Sequence, residues 1–272
     1  MTREPVVAGQ FYPAGGRRLR ESIESFTPKE QQPEPALGLL SPHAGYTFSG
    51  GVAGATFARA VVPDTVVLLT PSHSYARPAL ALWTGGNWQT PLGTTAMHEE
   101  LTAALRNLAG VTCDDRPHLP EHSGEVVLPF IQYHNPDAAL AAVCVTAAAG
   151  LDALKGFGAG LAEVLADAGL EDALIVTSSD MSHESGGSAL ERVNSQDPVA
   201  IEKMEALDPE GLYTACRRDN ITMCGVLPAV AMLAAIAACG GTEGILVSRA
   251  TSADSPQGGG SYVVGYAGMI FR

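Results

Sequence analysis

Apolar residues along this chain follow two rhythms. Short unbroken runs, rich in β-branched side chains, occupy residues 37–41, 65–70, 138–145 and 173–177. Runs of this kind read as strands buried on both faces. Between them, apolar positions recur every three to four residues over 17–26, 52–59, 98–108, 151–168 and 194–207, the spacing of amphipathic helices. Asp208-Pro209 can start a further helix that ends near 216–220, and Ile221-Thr222-Met223-Cys224-Gly225 leads into an apolar helix through residue 237. Residues 80–83, 244–248 and 261–267 read as additional strands. Residues 6–13 form an apolar arm with a turn, 27–35 a polar loop, and 252–260 a flexible glycine-rich loop. The glycine-rich stretch 85–93 suits a hairpin or a site wall; it lacks the GxxxxGK[ST] order of a phosphate cradle. Alternating strands and helices predict an α/β protein: three layers, αβα, around a central mixed, largely parallel sheet. No linker rich in Pro, Ser or charge divides residues 1–272, which read as one domain.

Three of the strands stop in a polar turn that carries histidine. Residues 37–41 end at Pro42-His43, residues 65–70 at Pro71-Ser72-His73, and residues 173–177 at Ser178-Ser179-Asp180-Met181-Ser182-His183. A proline forces extended geometry on the residue before it, so His43 follows directly on a strand end. Ligands of open α/β sheets bind outside the carboxyl ends of the strands. Three imidazoles delivered to that edge suggest one shared site; the alternative is three unrelated surface turns.

Charge narrows the range of partners. The formal net charge of −13 opposes broad binding to nucleic acid or to an anionic membrane. With 46% hydrophobic and 17% charged residues the chain is globular. Met1-Thr2-Arg3-Glu4-Pro5 leads into no signal-like apolar region, and the most apolar stretch, 226–239, is too short to span a bilayer. Five irregularly spaced cysteines without a CxxC favour reduced thiols and a cytoplasmic protein.

Imidazole and thiolate are ligands for iron, copper and zinc. His43, His73 and Cys224 could form a three-residue metal site; Cys224 precedes a helix, whose N-terminus favours a thiolate. It could equally be a small buried apolar residue. Asp180 could orient an imidazole or bind metal. His122 and His183 suit acid–base work, with Glu121 and Glu125 flanking His122 to hold its tautomer, or His122 lies solvated at a helix start. Tyr46 offers a hydrogen bond to an oxyanion or simply packs. His98, His118 and His134 read as solvated. Neither GxSxG nor HExxH occurs, but a nucleophilic set of Cys224, His183 and Asp180 stays open.

Taken together, PHAGYTFSG at 42–50, Thr70-Pro71-Ser72-His73, Glu121-His122-Ser123-Gly124-Glu125, Ser178–His183 and Asn220–Gly225 resemble the Memo family, whose prokaryotic members are AmmeMemoRadiSam system protein B. The resemblance runs from Gly9-Gln10-Phe11-Tyr12-Pro13 to the last strand. It implies a fold like that of LigB-type extradiol dioxygenases. It also implies an iron or copper ion on His43, His73 and Cys224, with His122, Asp180 and His183 around the pocket and His183 in the place of a catalytic base. Extradiol enzymes hold iron with two histidines and a carboxylate; a thiolate here departs from that and tilts the site towards Cu(I) or a more tightly held iron. Ser74 stands where some relatives carry a second histidine. The function so implied is a redox protein acting on a small organic substrate. The competing expectations are a binding module that holds a peptide or a radical-SAM protein partner, and a cysteine hydrolase.

Overall fold

The computed structural model describes residues 2–30, 32–258 and 260–272. Gln31, in the polar loop, and Gly259, in the glycine-rich loop, lie outside the described residues. In chain order the elements are β1 (Thr2–Arg3), α1 (Gly16–Phe26), β2 (Gly38–Ser41), α2 (Tyr46–Phe57), β3 (Thr65–Pro71), β4 (Leu80–Leu82), β5 (Asn87–Thr90), β6 (Gly93–Thr95), α3 (Glu99–Leu105) and β7 (Val111–Cys113). They continue with α4 (Ser123–His134), β8 (Ala139–Val145), α5 (Leu151–Asp167), β9 (Leu174–Ser178), β10 (His183–Ser185), α6 (Ala189–Glu205), α7 (Pro209–Arg218), α8 (Val226–Ala238), β11 (Gly244–Thr251) and β12 (Tyr262–Phe271).

The large sheet runs in the order β10-β12-β2-β9-β3-β8-β4-β7, with β11 paired to β12. Its centre, β2-β9-β3-β8, is parallel throughout; β12, β10 and β11 on one side and β4 on the other join it antiparallel. Register aligns the strand ends: Ser41 lies beside Ser178, Leu69 beside Thr177, and Pro71 beside Val145. The turns that follow β2, β3 and β9 therefore leave the sheet on one edge.

The central strands are apolar without a break because both faces are covered. Val66 and Leu68 of β3 join a core with Phe57, Val127, Phe130 and Ile131 from α2 and α4. Val67 and Leu69 point the other way, into a core with Phe157 and Leu161 of α5 and Val230 and Leu233 of α8. Helices on both faces of one sheet give the three layers expected. Among the described residues no helix is long and apolar enough to cross a membrane.

Several expectations need correction. Helix α2 starts at Tyr46 rather than residue 52. Two glycines of this helix form a contact surface: a Cβ on Gly50 would lie 2.5 Å from the Phe26 ring, and one on Gly54 2.5 Å from the Phe26 carbonyl oxygen. Helix α6 starts at Ala189 rather than 194, and β11 and β12 run past 248 and 267 to Thr251 and Phe271. The loop after β11 begins not as free chain but as a 3-10 turn, where Asp254 accepts from the Thr251 amide and hydroxyl. His118 is buried rather than solvated. Its Nε2–H donates to the Ala81 carbonyl at 2.9 Å, it packs against Trp83 and Trp88, and burial drives its pKa down to about 4.

Candidate metal centre

Four loops at the carboxyl edge build the site. His43 leaves β2, His73 leaves β3, Asp180 leaves β9, and His122 stands at the start of α4. The ring centroids of His43 lie 5.4 Å from those of both His73 and His122, which are themselves 4.7 Å apart. One ligand nitrogen from each of these three falls within 4.8 Å of the other two. Ligands about 2 Å from a shared ion stand at most about 4 Å apart, so a small closure of the rings would hold one. Cys224, just ahead of α8, brings its Sγ to 3.3 Å from His43 Nε2.

The ring tautomers follow from their neighbours. Ser178 Oγ donates to the Ser123 carbonyl at 2.8 Å, which uses its only proton. The 2.6 Å contact from His43 Nδ1 to the same oxygen must then be an N–H donating to it, leaving Nε2 with a lone pair towards Cys224. His43 is wholly buried, and burial, reinforced by His122 and His73, holds its pKa far down and the ring neutral. His73 Nδ1–H donates to Glu121 Oε1 at 2.8 Å, and its backbone N–H donates to Glu121 Oε2 at 2.7 Å. Burial alone would push Glu121 up, but these bonds and the His73 charge outweigh it and hold the carboxyl down to about 2. The same hydrogen bond raises His73. A carboxylate on Nδ1 that leaves Nε2 free is the usual support of a metal-bound histidine.

Asp180 ties two of these loops together. Its Oδ1 accepts from the backbone N–H of His43 at 2.8 Å and of Ala44 at 3.2 Å. Its own N–H points at Cys224 Sγ, 3.2 Å away. Burial raises the Asp180 carboxyl, partly offset by those backbone donors. Burial and then the Asp180 charge push the Cys224 thiol well up. Burial thus outweighs the helix N-terminus expected to favour a thiolate. Beside Asp180, the Thr222 hydroxyl accepts from the His183 backbone N–H and donates to the His183 carbonyl, and His183 Nδ1 lies 2.9 Å from the Tyr262 hydroxyl. Burial lowers its pKa, against the pull of Asp180.

Glu125 has another task than expected, and Tyr46 takes the packing role of the two expected of it. Glu125 does not face His122; it accepts from Arg3 Nη1 at 2.8 Å, from the amides of Val6 and Val7, and from the Tyr12 hydroxyl. Tyr46 donates to the Val126 carbonyl at 3.0 Å and packs on Phe130. Ser178 and Tyr262 had no role in the sequence reading. Ser178 lay inside a motif already singled out, whereas nothing local marks Tyr262. An apolar hollow of about 440 Å³ lined by Leu37, Leu165, Ala173 and Cys239 opens at the opposite edge, where the strands begin; it contains none of the site's imidazoles.

The chain matches a family model described as "Memo-like protein" over residues 3–270. It is 40% identical to a "MEMO1 family protein" of Aquifex aeolicus, over 99% of this chain and 98% of the relative. A relative of the same family from Methanopyrus kandleri is 37% identical over 100% and 99% of the two chains. One from Methanothermobacter thermautotrophicus is 35% identical over 98% and 99%.

Proposed function

We propose, for a chain that belongs to the Memo family, a metal-dependent redox function with iron or copper held by His43, His73 and Cys224. One observation carries this reading: two imidazoles whose Nδ1 atoms are committed to Ser178 and Glu121, one buried (His43) and one at the exposed mouth (His73), bring ligand nitrogens within 4.8 Å of each other, beside a thiol 3.3 Å from the buried ring. Sites of mixed imidazole and thiolate suit iron and copper. When bound, such an ion supplies one-electron chemistry or activation of dioxygen towards a small organic substrate.

The chain's own part is positioning and proton transfer. Ser178 and Glu121 fix ring orientation, and Asp180 locks the His43 turn through two backbone donors. His183, and His122 whenever its ring is not engaged by the ion, are the proton carriers. Both are partly enclosed, and burial lowers both, so at neutral pH each is a base able to take a proton. Five free thiols, with no membrane-spanning helix among the described residues, support the cytoplasm as the place of action.

The test is metal analysis of protein purified without oxygen, followed by oxygen uptake with catechol-like substrates. The expected result is one iron or copper per chain, lost in His43→Ala and reduced in Cys224→Ala. Full metal content in both variants would remove the site from consideration. Metal that binds without any substrate-dependent oxygen uptake would favour a binding module on the same scaffold.

A further inference from the structure

We infer that this pocket has two third ligands to choose between: His122 for an ion of borderline hardness and Cys224 for a soft one, with His43 and His73 common to both. The inference rests on the metal-site reading above and adds the rule by which the ion is selected.

Geometry separates the two candidates. His122 belongs to the set of three whose ligand atoms lie within 4.8 Å of one another; Cys224 lies outside that set and, of the three histidines, makes a polar contact with His43 alone. The two side chains also come from unconnected elements, His122 from the start of α4 and Cys224 from the residues before α8. Either can therefore engage without the other moving.

His122 is furnished as a ligand would be. Its Nδ1 stands 3.5 Å from Glu121 Oε1, the oxygen that already accepts from His73 Nδ1. The same carboxylate oxygen thus stands near both rings, hydrogen-bonded to His73 and at longer electrostatic range from His122. Phe11 packs on the His122 ring at 4.9 Å between centroids, so the ring is held from its outer side. A solvated histidine at a helix start would have neither support.

Chemistry then assigns the ions. Imidazole is a borderline ligand that suits divalent ions such as nickel and cobalt(II), whereas a thiolate adds the softness that favours copper(I). Three imidazoles match the first class; two imidazoles and a thiolate match the second.

Cobalt(II) and copper(I) are the probes, each titrated without oxygen into the parent protein and into His122→Ala, Cys224→Ala and His43→Ala. The cobalt(II) spectrum of the parent is expected to lack a thiolate charge-transfer band, a result that needs no variant to fold. His122→Ala is expected to weaken cobalt(II) by at least about tenfold, the lower bound for losing even an outer partner of a metal-bound histidine; Cys224→Ala leaves cobalt(II) binding unchanged. For copper(I) the two variants exchange roles. His122→Gln, which keeps a polar side chain of similar reach, provides a second test of the same position. A charge-transfer band that Cys224→Ala abolishes, or equal weakening of both ions by both substitutions, would overturn the inference. Binding that depends on His43 but not on His122 also sinks it while leaving the metal site standing. If the parent takes up neither ion, or His43→Ala binds as the parent does, the underlying reading itself fails.

Discussion

Ser178 carries one hydroxyl proton, and the Ser123 carbonyl takes it. What remains for His43 is an oxygen that can only accept, so a single side chain decides which ring nitrogen meets an ion. Ser178→Ala should free the ring to change tautomer and cost about 10–100-fold in metal affinity, read by competition with a chelator. His118 gives a second prediction at this scale, and one unconnected with metal. Its folded value of about 4 lies below the ordinary 6.5 because burial excludes the charged form. The unfolded chain therefore binds the extra proton first, and stability falls as pH drops from 6.5 to 4, then levels off. The loss is about 3 kcal/mol. In His118→Phe this limb should be missing: urea melts at pH 7 and pH 4 should differ by about 3 kcal/mol less than in the parent.

Helix α4 ties the site to the start of the chain. Glu121 and His122 precede it, and Glu125 in its first turn anchors Arg3, Val6, Val7 and Tyr12. Arg3 also donates to the His118 and Glu121 carbonyls, and both partners of the ion pair are about 1% exposed. Removing one partner of a buried pair strands the other charge, so Arg3→Met should cost about 3–5 kcal/mol in a urea melt. At the start of α8, a Cβ on Gly225 would lie 2.4 Å from Ser179 Cβ and 2.5 Å from the Ser178 carbonyl oxygen. Gly225→Ala must push Cys224 away from the His43 turn. The expected cost is about 1–3 kcal/mol, with copper(I) affinity, measured by competition, falling alongside it.

Across the whole molecule, the site lies where four parallel strands end together and two cores meet at one edge. An ion held by loops from β2, β3 and either α4 or α8 would link segments far apart in sequence, so binding should stabilise the fold as a unit. At a hundredfold excess over Kd the gain is about 2.7 kcal/mol. Thermal melts with cobalt(II) should show the rise in the parent and none in His43→Ala; an equal rise in both would place the ion elsewhere.

The apolar runs of β2, β3, β8 and β9 could be read directly because burial on both faces leaves an unbroken pattern, and Pro42 and Pro71 marked two of the four strand ends. The edge carrying His43, His73 and Asp180 followed from the strand ends alone. Shorter pieces escaped: β1, β7 and β10 have two or three residues each, too few for any periodicity. The first turn of α2, ahead of residue 52, also escaped, because a glycine such as Gly50 that lets Phe26 approach and a glycine that breaks a helix are the same letter. The sequence, then, determined which strands are buried and which edge carries the imidazoles, since both depend on neighbours along the chain. Only the tertiary structure decided that Glu121 backs His73, that Glu125 serves the N-terminal arm, that Ser178 sets a tautomer and that Cys224 stands beside His43. Those pairings join residues 48 to 181 positions apart, and hydrogen-bond geometry over such separations is fixed by how the layers pack.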